Sequence, residues 1–131
     1  MYKYYQKVEI APHTHALPLL AGEQELYLCP LYLYQITPGS RIILKASIAW
    51  SNTVASDIGE LEIKIRRDHP SGEVLESSED SRFRTGTARI EGEDRGGSAE
   101  ISLYYLTVRS SGSKARVEGP IVFEGFVLDE E

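Results

Sequence analysis

Three histidines, a single cysteine and two acidic strings are the residues of this 131-residue chain whose types could do chemistry. His13 and His15 stand two apart, so in an extended segment both imidazoles face the same side, a spacing able to chelate a metal. A zinc site needs three or four ligands of fixed geometry, however, and His69 falls in a turn far along the chain. A solvated pair in a connector is therefore expected, and no metal or cofactor is implied. Such a pair could also tune the connector's attachment between about pH 5 and 7. Cys29, between Leu28 and Pro30, has no flanking motif, helix start or glycine-rich oxyanion loop to make it a nucleophile. One thiol allows no internal disulfide; it reads as a small buried hydrophobe, with a bond between subunits as the other possibility. "ESSEDS" and "EGEDRGG" look superficially like calcium loops but lack regular oxygen ligands around a central glycine, so solvated loop charge is expected. "GEDRGG" has no following helix to cradle phosphate. Nothing selects a carboxylate pair for glycoside chemistry. The expectation is a protein that is not an enzyme.

The composition narrows the partners. A formal charge of −6, from 20 acidic against 14 basic residues, argues against a nucleic-acid surface, which draws its free energy from clustered Lys and Arg. The densest basic cluster, "IKIRRD", alternates with apolar residues and reads as the wet face of a strand. No apolar run approaches the ~18 residues of a membrane span, so no membrane insertion is expected. No charged segment followed by an apolar one marks an ordinary export signal. That leaves the cytoplasm, or a surface reached by another route such as lysis of the producing cell. The length suits one domain able to bury a single core without metal or disulfide staples.

The elements that must position any site read as strands. "MYKYYQKVEI" alternates Tyr2, Tyr4, Val8 and Ile10 with polar residues in a two-residue rhythm. Pro12 and Pro18 bracket a connector ending at Gly22, with neither periodicity. In "QELYLCPLYLYQI", apolar residues on both parities suit a strand covered on both sides, and Pro30 places it at an edge or bulge. "RIILKASIAW" sets Ile42, Leu44, Ala46, Ile48 and Trp50 on one parity, and "GELEIKIRRD" does the same with Leu61, Ile63 and Ile65. "DHPSG" predicts a tight turn into "EVLES". "RFRTGTARIE" offers Phe83 and Ile90 as inward residues, and "EGEDRGG" reads as a turn. In "AEISLYYLTVR" the apolar parity switches at Tyr104 and Tyr105, predicting a β-bulge. "ARVEGPIVFEGFVL" has Val117, Ile121 and Phe123 on one parity, then Phe126 and Leu128 on the other. No stretch shows helical spacing. The fold class expected is all-β: a two-sheet antiparallel jelly-roll-like sandwich, divided as an N-terminal strand (1–12), a Pro/His linker (13–23) and the sandwich proper (24–131).

Tyrosine is the one compositional excess, with six of the eight in "YKYY" and "LYLCPLYLY". Its ring suits half-buried surfaces, interfaces and carbohydrate grooves, besides its ordinary strand propensity. Because a strand cannot stand alone, the opening ribbon must pair with this chain's sheet or with a neighbour's.

The segments "RIILKASIAW…LEIKIRRDHPSGEVLESSEDS" and "AEISLYYLTVRSSGSKARVEGPIVFEGFVL" resemble the small jelly-roll proteins of bacterial spore surfaces, exosporium and spore-appendage subunits akin in fold to tumour-necrosis-factor-like domains. The likeness spans residues 24–128 and rests on a strand ending near a Trp, an "I-x-I-x-R-D-x-P-x-G" hairpin, "Y-x-L-T-V-x-S-x-G" and "V-x-G-P-I-V-F-x-G". A collagen-like tract and an N-terminal cysteine cluster, which some spore-surface fibre proteins carry, are missing. The resemblance implies a structural subunit without cofactor, deposited at the spore surface without a signal peptide. It implies partners that are identical subunits in a homopolymer, together with other spore-surface proteins. It also implies head-to-tail filaments in which residues 1–12 add a strand to the preceding subunit, with Tyr2, Tyr4, Val8 and Ile10 as the inserted face and Tyr5 beside them. The alternative keeps residues 2–10 in their own sheet, giving a compact monomer or trimer that binds a carbohydrate or protein ligand.

Overall fold

The computed structural model describes residues 2–14, 17–54 and 56–128. The strands run in order β1 (Tyr2–Ile10), β2 (Leu19–Ala21), β3 (Leu26–Leu33), β4 (Arg41–Asn52), β5 (Gly59–Arg67), β6 (Glu73–Arg82), β7 (Thr85–Arg95), β8 (Ser102–Arg109) and β9 (Ala115–Leu128), with one 3-10 turn at Ser111–Ser113. They form two antiparallel sheets, β1-β9-β4-β7 with β2 also on β9, and β3-β8-β5-β6. This is a jelly-roll sandwich, as the period-two patterning predicts. No helix is long and apolar enough to cross a membrane among the described residues.

Alternation decides which side chains meet between the sheets. Ile42, Leu44, Ala46, Ile48 and Trp50 of β4, with Val117, Ile121, Phe123 and Val127 of β9, form one inner face; Leu61, Ile63 and Ile65 of β5, with Tyr104, Leu106 and Val108 of β8, form the other. Each fully buried aliphatic side chain contributes about 1.5–3 kcal/mol before the entropy of ordering is subtracted. At Gly125 a Cβ would come within 2.8 Å of a Leu33 methyl, so the absence of a side chain lets β3 close onto β9. Polar ties cross the same interior. The Trp50 indole Nε1 donates to Asp80 Oδ2 at 2.9 Å, and the Tyr104 hydroxyl donates to Asp94 Oδ2 at 2.8 Å while Arg67 Nη1 donates to Asp94 Oδ1 at 2.7 Å.

The opening ribbon completes its own chain's sheet. β1 runs antiparallel to β9 from Tyr2 opposite Leu128 to Ile10 opposite Ile121. Tyr4, Val8 and Ile10 pack on the core of the same polypeptide. Within the 13–23 segment, β2 pairs with β9 through Leu19–Val117.

Four local expectations are corrected. Phe83, expected inward, is 64% exposed because it sits in the turn between β6 and β7. "ESSEDS" and most of "EGEDRGG" are strand rather than loop, since edge strands with a wet outer face tolerate charge. No bulge occurs at Tyr104–Tyr105, where the register with β5 runs without a shift. The inward residues are all even-numbered, and Ile101, before the strand, is exposed. The irregularity lies across the ladder in β3, between Tyr27 and Cys29, next to Pro30 and at a sheet edge as the proline implies.

Candidate functional site

β1 and β3 are edge strands of different sheets, and the fold brings them together along one side of the sandwich. The two tyrosine-rich segments of the sequence thereby meet. The Tyr4 and Tyr34 rings pack edge to face with centroids 5.7 Å apart, bridging the sheets. Tyr5 leans on Phe126 at 4.8 Å and its hydroxyl donates to Glu124 Oε2 at 2.6 Å. Tyr5, Tyr32 and Tyr34 remain exposed, at 38%, 44% and 40%, Tyr5 on the outer face of the first sheet and Tyr32 on that of the second, and exposed tyrosine is enriched at protein interfaces. Of Tyr2 only the backbone pairing with Leu128 is described. On the outer face of the first sheet the register lines up Lys7, Glu124, Lys45 and Glu91 across four strands, alternating in sign and so largely self-neutralising. Lys45 Nζ also lies 5.7 Å from the centre of the Phe126 ring.

A second cluster lies on the outer face of the other sheet, where sequence reading singled out no site. Glu25, just before β3, receives a two-pronged contact from Arg66 of β5: Nε to Oε2 at 2.6 Å and Nη2 to Oε1 at 2.7 Å. The Thr107 hydroxyl donates to the same carboxylate, and Arg66 Nη1 donates to the Gly72 carbonyl at 2.6 Å. The Arg66 hydrogen bonds are the main cause holding the Glu25 carboxyl down to about 2, against the opposing effect of desolvation; Thr107 and Lys64 assist. Tyr27 packs edge-on against Tyr105 at 5.5 Å and is 48% exposed. Desolvation, above all, raises its phenol above the ordinary value. Between these groups lies an open groove of about 320 Å³, lined by Glu25, Tyr27, Arg66, Pro70, Ser71 and Thr107. The alternation in "IKIRRD" is the only sequence signal that pointed here, marking Lys64 and Arg66 as outward. Glu25 and Thr107 are too distant in sequence to be linked to it.

The remaining candidates separate. Cys29 is 3% exposed, and burial pushes its thiol up to about 12. In the single chain it is a free thiol buried within the core cluster. His13 is exposed in the connector, and His15 lies outside the described residues. His69 Nδ1 is engaged locally by Ser71, with Oγ at 2.8 Å and the backbone N–H at 3.1 Å.

No family model and no curated protein matches the chain. Solved structures match its fold. The structure of Eiger, a tumour necrosis factor from S. frugiperda, aligns with a TM-score of 0.53 at 8% identity, over 98% of this chain and 96% of that one. Dimeric latent PorU from Porphyromonas gingivalis aligns at 0.50 and 10% identity over 98% of this chain, which spans only 13% of PorU. A chain from Bacillus endospore appendages, disulfide-linked pili, aligns at 0.49 and 11% identity over 95% of this chain and 88% of that one. At such identities the likeness is one of fold alone, a jelly-roll β-sandwich.

Proposed function

We propose that this chain is a non-enzymatic β-sandwich subunit that acts through its surface, associating with identical copies along the tyrosine side formed by β1 and β3. The observation that carries this reading is the meeting of two sequence-distant edge strands, β1 and β3, along one side that carries exposed tyrosine: Tyr5 on the outer face of the first sheet, Tyr32 on that of the second, and Tyr34 just past β3, packed on Tyr4. Strand edges and exposed aromatic rings are the two surface features most prone to association. The resemblance to spore-surface subunits supports an extracellular placement on the spore, with other spore-surface proteins as further partners. Sedimentation velocity over a concentration series tests it, with negative-stain microscopy of the same samples. Oligomers or fibres are expected, and the double substitution Tyr32→Glu and Tyr34→Glu should return the protein to folded monomers. Uniform monomers of the parent chain at high concentration would remove the reading.

Head-to-tail filament growth is the finer form of the same proposal. β1 is an edge strand whose ladder is made with β9 alone, and residues 11–18 tether it to β2. The same ladder could therefore form on a neighbouring copy by exchange of residues 2–10. Lys7 and Glu124 are directly opposite in the ladder, so Lys7→Cys with Glu124→Cys would lock the ribbon onto its own chain. If exchange builds the filament, the oxidised double variant stays monomeric and reduction restores growth. Fibres from the oxidised protein would exclude exchange and leave association through the tyrosine side intact.

A further inference from the structure

The groove beside Tyr27 has the chemistry of a site for a neutral sugar, and this inference rests on the reading of the chain as a non-enzymatic surface module. Three features converge. The first is an exposed aromatic ring held in place: Tyr27 is fixed edge-on by Tyr105, so the apolar C–H face of a pyranose can cover it without first ordering a mobile side chain. The second is a pair of charged groups already immobilised. The Arg66 and Glu25 side chains are 16% and 23% exposed and hold each other through two hydrogen bonds. Arg66 has five N–H donors and uses one from each nitrogen, on Glu25 twice and on Gly72 once, leaving two. A carboxylate offers about four acceptor positions; Arg66 takes two of Glu25's and the Thr107 hydroxyl one.

Adjacent spare donors and a spare acceptor are what a pair of neighbouring hydroxyls needs, since each hydroxyl both donates and accepts. The third feature is charge. The guanidinium is paired with the carboxylate it grips, and Lys64, whose Nζ lies 3.9 Å from Glu25 Oε1, is matched by Glu62 at 3.7 Å, so two cations face two carboxylates and no positive charge is in surplus for a phosphate or a carboxylate ligand. The groove, at about 320 Å³, sits at the small end of the ~300–1,000 Å³ span of small-molecule sites, fitting one or two sugar rings. The Ser71 hydroxyl, on the turn between β5 and β6, stands at its rim.

We propose that the Glu25–Tyr27–Arg66 groove binds neutral monosaccharides or the exposed ends of neutral glycans, with Tyr27 as the stacking platform and the Arg66–Glu25 pair reading adjacent hydroxyls. The test is amide-resolved NMR of the full chain titrated separately with D-glucose, D-galactose, D-mannose, L-fucose and N-acetyl-D-glucosamine, with D-glucuronate as the anionic comparison. For so small a ligand a dissociation constant of about 1–30 mM is expected for at least one neutral sugar. Shifts should be confined to residues around Glu25, Tyr27, Arg66, Ser71 and Thr107. Tyr27→Ala should weaken binding at least about tenfold, while Phe83→Ala, an exposed ring on the turn between β6 and β7 and outside the groove, should leave it unchanged. The proposal is overturned if no neutral sugar shifts those amides at about 100 mM, well above that affinity range. It is equally overturned if Tyr27→Ala binds like the parent, or if glucuronate binds tenfold tighter than every neutral sugar. Sugar binding by the monomeric Tyr32→Glu, Tyr34→Glu protein keeps this site separate from self-association. Hydrolysis of an offered glycoside would instead sink the non-enzymatic reading while leaving the site standing.

Discussion

The two sides of the sandwich are closed by different means. On the β6/β7 side the sheets are tied by directed polar contacts, Trp50 to Asp80 and Tyr104 to Asp94, and those acids are in turn held by Arg82 and Arg67. On the β1/β3 side the contacts are mainly packing, Tyr4 on Tyr34 and Leu33 over Gly125, with one exposed hydrogen bond from Lys3 Nζ to Thr37 Oγ1 at 2.9 Å, and further tyrosine surface faces solvent. Directed bonds fix one geometry, whereas aromatic contacts tolerate rearrangement and leave polar tips for outside partners. The comparison teaches that both sides contribute to the fold, the β6/β7 side through internal polar ties and the β1/β3 side through partly buried Tyr4, Val8 and Ile10, while the β1/β3 side also keeps ring surface toward solvent, where the proposed association would take place.

The largest effect that could break this contrast is removal of the ribbon. Deleting residues 1–12 strips Tyr4, Val8 and Ile10 from the core face, a loss of about 5 kcal/mol, comparable with the whole stability of an ordinary domain. Unfolding or aggregation is expected by circular dichroism and light scattering; a soluble folded monomer would show that the side is detachable and would favour strand exchange. Next comes the polar side. Trp50→Ala, at a position 1% exposed, should cost about 3–5 kcal/mol in urea unfolding, whereas Tyr104→Phe keeps the ring and loses one hydrogen bond, about 1–2 kcal/mol. If Tyr104→Phe is neutral, the tie to Asp94 is not what closes that side.

Acid should sharpen the picture further. The Glu25 carboxyl is held down to about 2 from 4.5, so the folded chain binds fewer protons there than the unfolded one. Its stabilising contribution is full above about pH 4.5 and fades as pH falls toward 2. Glu25→Gln should flatten the pH dependence of the unfolding midpoint across that window and leave the slope above pH 6 untouched. The smallest effect expected is for Phe83→Ser, within about 0.5 kcal/mol, because the ring lies in an exposed turn.

The core strands were legible because alternation maps directly onto the two faces of a strand: all five inward residues read from "RIILKASIAW" and all three from "GELEIKIRRD" are buried. Pro30 located an edge strand by its missing donor. Phe83 misled because apolarity says nothing about whether a residue falls inside a strand or in the turn after it. The switch at Tyr104–Tyr105 misled because Ile101 and Leu103 mark a partly apolar outer face, which a pattern cannot distinguish from a bulge. Of the candidate sites, the tyrosine ribbon was visible as composition. The groove was not, since Glu25, Arg66 and Thr107 come from three strands or their approaches, separated by 41 residues at the closest pair.

By itself the sequence determined the all-β class, the identity of most inward residues and the edge character of β3, all consequences of local periodicity and backbone chemistry. Only the tertiary structure decided that residues 2–10 lie on β9 of the same chain, that the two tyrosine segments share a side, and that Glu25 grips Arg66. Those depend on which strands become neighbours, and strand order is settled by long-range packing between sheets, for which a two-residue rhythm carries no information.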